Sequence, residues 1–246
     1  MTLRQQIVAA GQFLFRFRSY IPMLVLIVLV GAFWKGLPRD SGAEDYFWRA
    51  VALCVTAAGL LLRFITIGRI PSGTSGRNTK RQKASTLNTT GTYSIVRNPL
   101  YLANGLVWAG IVLLLESPAL AMIFSGVLLL YYMFVVFAEE DFLAAAFGND
   151  YMNYAATTPA LIPRLGRWRP WNRPFSWRMM IRREHDSVFS ALTGLVIVFH
   201  FQDAMAHGGR FMLRREWLIP WLVVGCGWAI AKVLKKRTNL LRVVET

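Results

Sequence analysis

Apolar residues dominate this chain in long runs, and the polar positions between them are gathered into a few segments. A membrane-spanning helix needs about 20 apolar residues to cross a hydrocarbon core of about 30 Å. Six windows approach that length: Tyr20 to Lys35, Tyr46 to Ile67, Pro99 to Leu115, Ala119 to Phe137, Val188 to Ala206 and Trp217 to Leu234. The first and third are short. The pattern therefore predicts an all-α fold, a polytopic membrane helix bundle of about six transmembrane helices in a single integral membrane domain, with no internal repeat. Two polar segments, Gly68 to Asn98 and Glu139 to Asp186, are too long to be simple connectors. Structureless loops of that length are usually functional or disordered, so chemistry is expected where these two meet the membrane.

Composition sharpens this picture. Of 246 residues, 55% are hydrophobic and only 17% charged, which excludes an ordinary soluble domain. The 16 Phe, 9 Trp and 8 Tyr exclude disorder. The net charge of +15 could suggest nucleic acid, but the basic residues lie between apolar runs and not on one soluble face, so no nucleic-acid partner is expected. Positive-inside topology accounts for them. Gly68 to Asn98 holds Arg69, Arg77, Lys80, Arg81, Lys83 and Arg97 without an acid. The amino terminus, the stretch from Ala138 to Ser187 and the tail after Ala231 are also basic, so both termini are expected in the cytoplasm. Arg210, Arg214 and Arg215 count against that assignment. Cys54 and Cys226 fall inside apolar stretches and read as helix packing. The first apolar run is followed by Trp34-Lys35-Gly36, not by a small-residue cleavage pattern, and reads as a retained anchor.

Several polar positions could carry chemistry. Asn98 is a favoured N-cap and Pro99 a favoured first helical residue, so Arg97 and Asn98 should sit at the positive end of the third span. Such an end attracts anions, although Arg97 could equally be an interfacial anchor. The fourth span continues through Glu139 and Glu140, with Gly148 as its expected terminator, giving a helix of about 44 Å whose last turns leave the membrane. Adjacent residues point about 100° apart, so one carboxylate should face a pocket and the other solvent or an arginine. Tyr151 and Tyr154 share a face of a short helix that Pro159 and Pro163 end. They are interfacial belt residues or ligand contacts. Pro170 to Trp177, with Trp168, Trp171, Arg173 and Arg178, reads as an amphipathic interfacial segment. Arg182-Arg183-Glu184-His185-Asp186 precedes the fifth span. The loop from Ser72 to Lys80 could form an anion nest but is no Walker loop. The histidines form no metal constellation.

Taken together, Gly91 to Tyr101, then Glu139-Glu140, then Phe147 to Tyr154 and a closing Leu161-Ile162-Pro163 resemble the integral-membrane methyltransferases typified by isoprenylcysteine carboxyl methyltransferase and the phospholipid N-methyltransferases, in a bacterial branch. The resemblance covers about Gly91 to Pro163. It implies S-adenosylmethionine as cofactor, held by Tyr93, Arg97, Asn98, Pro99, Tyr101, Glu139, Glu140 and Tyr151. Arg97, Tyr154, Arg164 and Glu184 are its implied catalytic residues. A lipid or apolar small molecule is the implied methyl acceptor, membrane lipids the surroundings and a bacterial inner membrane the location. Two departures stand out. Asn98 replaces the family's usual histidine and cannot titrate, and the positions from Thr157 to Ala160 lack the arginine many relatives carry, for which Arg164 or Arg183 could substitute. An NADPH-dependent sterol-type reductase shares part of the pattern, and a non-catalytic lipid-binding scaffold would keep the fold with a decayed site.

Overall fold

The computed structural model describes residues 2–18, 20–33, 44–71, 84–206 and 214–241, and among these all regular structure is helical. The long elements are α1 (Leu3–Arg16), α2 (Ile21–Ala32), α3 (Glu44–Ile67), α5 (Pro99–Leu113), α6 (Pro118–Phe147), α8 (Trp177–Ala206) and α9 (Arg215–Arg237). Between them lie a single turn, α4 (Thr92–Ile95), and a short helix, α7 (Asn149–Thr157). The expected nest from Ser72 to Lys80 lies outside the described residues.

Among the described residues, four helices are long and apolar enough to cross a bilayer, and α1 with α2 counts as a fifth if they are one broken span. The third expected span is the short one: α5 has 15 residues, or about 22 Å, less than the hydrocarbon thickness. Pro99 starts it, and the Glu116-Ser117-Pro118 turn follows, where Glu116 takes a φ of 53° and Ser117 caps α6. The first expected span shrinks to the 12 residues of α2 and gains an unanticipated partner, α1. Its start is a capping box: Gln5 N–H donates to Thr2 Oγ1 at 3.3 Å, and Thr2 N–H to Gln5 Oε1 at 2.8 Å.

Close packing depends on small residues, as expected where lipid is the competing solvent. Gly11 lets α1 approach α6, since a Cβ there would lie 2.1 Å from the Phe134 carbonyl oxygen. A Cβ at Gly110 of α5 would lie 2.2 Å from Thr56 Oγ1 of α3. Around these contacts Phe15, Leu26, Trp108, Ile111, Phe124 and Val198 form one core shared by α1, α2, α5, α6 and α8. By contrast α9 packs mainly on α8, through rings: Phe199 stacks on Trp217 at 3.7 Å and Phe189 on Trp228 at 4.9 Å.

The α3–α5 contact leaves no volume for a larger side chain. Gly110→Val should cost about 1–3 kcal/mol by overpacking, read as a lower Tm in detergent. Gly227→Val, where a Cβ would meet nothing, should leave Tm unchanged.

Candidate active site

One end of the site is held where helix ends meet two loop segments bonded to each other. Gly91 has a φ of 59°, and a Cβ there would fall 2.1 Å from the Trp171 ring, so glycine is required both by conformation and by space. Gly91 N–H donates to the Arg169 carbonyl at 2.9 Å, and Arg169 N–H to Ser94 Oγ at 2.9 Å. Further along, Arg97 N–H donates to the Pro159 carbonyl at 2.8 Å, Asn98 N–H to that of Ala160 at 3.2 Å, and Arg164 N–H to that of Ile95 at 2.9 Å. The segment 91–98 is thereby stitched to 159–169. The stretch from Pro170 to Ser176 is not helical, and Trp177 opens α8. Trp171 packs on Gly91, Phe175 sits against Gly68, and only Trp168 and Trp177 are exposed among these rings.

Arg97 organises this end of the bundle. Its Nε donates to Glu140 Oε1 at 2.9 Å and its Nη2 to Glu140 Oε2 at 3.0 Å. Nη1 donates to the carbonyls of Ala155 and Thr158 at 2.7 and 2.8 Å. A bidentate guanidinium–carboxylate pair is among the strongest side-chain interactions available, and here it joins the start of α5, the end of α6 and the end of α7. Asn98 occupies the N-cap position without capping by its side chain. Its Nδ2 instead donates to Glu140 Oε1 at 3.1 Å and to the Ala160 carbonyl at 3.2 Å.

The two adjacent carboxylates have different partners. Glu140 is consumed by Arg97 and Asn98, whereas Glu139 accepts only one hydrogen bond among the described residues, from the Tyr101 hydroxyl at 2.7 Å. The α6 helix that carries them has 30 residues and ends at Gly148, whose φ is 54°. On α7, the Tyr154 hydroxyl donates to the Tyr93 carbonyl at 2.7 Å. Tyr151 is buried, and its hydroxyl has no hydrogen-bond partner among the described residues. Burial pushes both phenols above their ordinary range, so both stay neutral at physiological pH.

A second ion pair closes the opposite wall. Arg63 of α3 donates from Nε to Glu184 Oε2 at 2.6 Å and from Nη2 to Glu184 Oε1 at 2.9 Å, while its Nη1 donates to Asn104 Oδ1 of α5. Glu184 is only 2% exposed. The pentad Arg182 to Asp186 is therefore not a preface to the span; it lies within α8, which begins at Trp177.

Between these walls lies a cavity of about 940 Å³. Tyr93, Arg97, Asn98, Pro99, Tyr101, Glu139, Glu140, Tyr151, Tyr154 and Glu184 all line it. Arg164 does not; its side chain is exposed and only its backbone joins the stitching. Sequence reasoning missed Arg18, Arg63 and Asn104, which also line the cavity. For Arg63 the signal was present: an arginine inside an apolar span is costly unless it has a partner.

Removing one partner of the Arg97–Glu140 pair strands the other. Glu140→Gln and Arg97→Ala should each destabilise the protein by about 2–4 kcal/mol, seen as a Tm lowered by several degrees. A double substitution should cost much less than the two single losses added.

Comparisons with known proteins identify the family. Residues 47–150 match the family model for phospholipid methyltransferase. The chain is 33% identical to the cobalt-zinc-cadmium resistance protein CzcN of Cupriavidus metallidurans, over 65% of this chain and 70% of that protein. It is also 33% identical to the nickel-cobalt-cadmium resistance protein NccN of Alcaligenes xylosoxydans xylosoxydans, over 69% of this chain and 76% of that protein. No solved structure matches. Protein-S-isoprenylcysteine O-methyltransferase B of Arabidopsis thaliana is 31% identical over 57% of this chain and 72% of its own length, and with it the chain belongs to the family of integral-membrane methyltransferases.

Proposed function

We propose that this protein transfers a methyl group from S-adenosylmethionine to a lipid-like or apolar acceptor. The observation that carries the reading is the Glu139 carboxylate, which faces the cavity with Tyr101 as its one hydrogen-bond partner among the described residues. A carboxylate at the edge of hydrocarbon needs a positive counterpart, and the cofactor's ammonium is one. The cavity volume of about 940 Å³ lies within the range of small-molecule sites.

S-adenosylmethionine supplies a methyl group already activated on a sulfonium, so the chain's own task is to position reactants and exclude water. Glu139 and Tyr101 would hold its ammonium, with Tyr93 and Tyr151 lining the same cavity. Arg97, Tyr154 and Glu184 act as positioning residues, because each is already bonded to protein: Arg97 to Glu140, Tyr154 to the Tyr93 carbonyl and Glu184 to Arg63. Arg164 supports the loop through its backbone. Leu60, Val107 and Trp108 line the same cavity and give an acceptor an apolar path from the bilayer. Arg18, Arg97, Arg182, Lys232 and Lys235 also line it, and this gathering of cations supports a cytoplasmic cavity and cytoplasmic termini in a bacterial inner membrane.

Calorimetric titration of the detergent-purified protein with S-adenosylhomocysteine tests the reading. Saturable binding is expected, weakened at least about tenfold in Glu139→Gln through loss of a charge-assisted contact. Arg164→Ala should bind like the unmodified protein, and NADPH should not bind. Binding of NADPH in place of S-adenosylhomocysteine would transfer the assignment to a reductase.

A further inference from the structure

Five arginines stand on the segment that joins α7 to α8, and the cavity uses none of them. Arg164, Arg167, Arg169, Arg173 and Arg178 are all exposed, and none lines the cavity. No acidic residue occurs between Asp150 and Glu184, so the segment is purely cationic. Large apolar side chains are interleaved with the arginines: Ile162, Leu165, Trp168 and Trp177 are between 50% and 81% exposed. Apolar tips gathered beside like charges mark a surface that meets a partner.

The backbone beneath that surface is anchored. Trp171 packs on Gly91 and Phe175 on Gly68, and the Arg69 guanidinium lies over both rings at 5.5 and 5.1 Å. With these rings turned inward, Trp168 and Trp177 are left outward together with the arginines.

The height of the segment relative to the bilayer follows from α3. Its apolar stretch Phe47–Ile67 has 21 residues and a length of about 31 Å, enough to cross the hydrocarbon core. Gly68 therefore stands at the boundary, and Ser176 N–H donates to the Gly68 carbonyl at 2.7 Å. The hydroxyls of Thr66 and Thr92 lie 3.0 Å apart, which brings α4 to the same level, and Gly91 N–H bonds the Arg169 carbonyl there. Tryptophans at that height sit among headgroups, and a basic surface there attracts anionic lipids. The guanidinium fork matches a phosphate. An acidic protein would satisfy the arginines but not the apolar tips, which a hydrocarbon boundary accepts.

We infer that the segment 162–178 is a docking surface for anionic lipid headgroups, with Trp168 and Trp177 seated at the bilayer boundary and the arginines on the lipid phosphates. This role stands apart from the methyl-transfer reading, because its residues lie outside the cavity.

Microscale thermophoresis of the full chain in detergent, titrated with dioctanoyl phosphatidylglycerol, dioctanoyl phosphatidylcholine, glycerol phosphate or polyglutamate, tests this. Phosphatidylglycerol should bind at least about fivefold more tightly than phosphatidylcholine, and the preference should shrink as salt rises. Arg164→Gln, Arg167→Gln and Arg169→Gln combined should abolish the preference, whereas Lys at the same three positions should keep most of it. Lys236→Gln with Arg237→Gln, exposed on the last turn of α9, should leave it intact. The Gln variant should keep its Tm, since the three side chains are exposed; if it unfolds, the Lys variant and the salt dependence still decide. Equal affinity of the unmodified protein for the two lipids would overturn the inference. So would a preference lost with Lys236 and Arg237 but kept without the three arginines, which would move the surface to α9. Glycerol phosphate binding as tightly as phosphatidylglycerol would reduce the surface to an ion site. Polyglutamate binding without any lipid preference would give it to an acidic protein, and either result sinks the lipid assignment.

Discussion

A charge placed at the edge of a hydrocarbon layer has to find its opposite nearby, and in this protein the Arg97–Glu140 pair meets that constraint for a whole end of the bundle. Four hydrogen bonds from one guanidinium reach the last turns of α6, the end of α7 and the loop that follows. With Asn98 added, Glu140 receives a third donor. Three chain segments distant in sequence are fixed by a group that cannot leave without exposing a bare carboxylate. The neighbouring residue, Glu139, can remain lightly bonded because Glu140 carries the structural duty.

The Arg63–Glu184–Asn104 cluster repeats the solution on the facing wall, joining α3, α5 and α8. Burying an ion pair contributes little net stability against a well-packed apolar alternative. What such pairs supply here is geometry: two planar guanidinium–carboxylate units set the spacing of helices whose lipid-facing surfaces impose no register of their own. Small residues do the complementary work, with Gly11 and Gly110 bringing backbones into contact where no polar group directs them.

Much of this was legible from residue order alone. The all-helical membrane architecture follows from the lengths of the apolar runs, and α6 follows to within one residue from the apolar run that opens at Ala119 and the Gly148 stop. The position of Asn98 before Pro99 was equally readable, but not the use of its side chain, which depends on Ala160 and Glu140 arriving from distant segments. Helix α1 escaped notice because its apolar residues alternate with Arg4, Gln5, Gln6 and Gln12, and only packing on α6 shows why it forms. The pairing of Arg63 with Glu184 was beyond reach for the same reason: 121 positions separate them, and no local pattern encodes a contact of that range. Arg164 illustrates the converse, since a residue at a motif's edge can serve the fold through its peptide group while its side chain turns away.

The segment shared with the phospholipid methyltransferase family ends at residue 150, yet the cavity does not. Arg18 and Met23 enter it from one flank of that segment, and Arg183, Ser190 and Trp228 from the other. The chamber is thus composed like a lock whose barrel is common stock and whose wards are cut separately. Changes in α1, α2, α8 and α9 can therefore reshape the walls of the cavity while the Arg97–Glu140 pair, held by α5, α6 and α7, keeps its place.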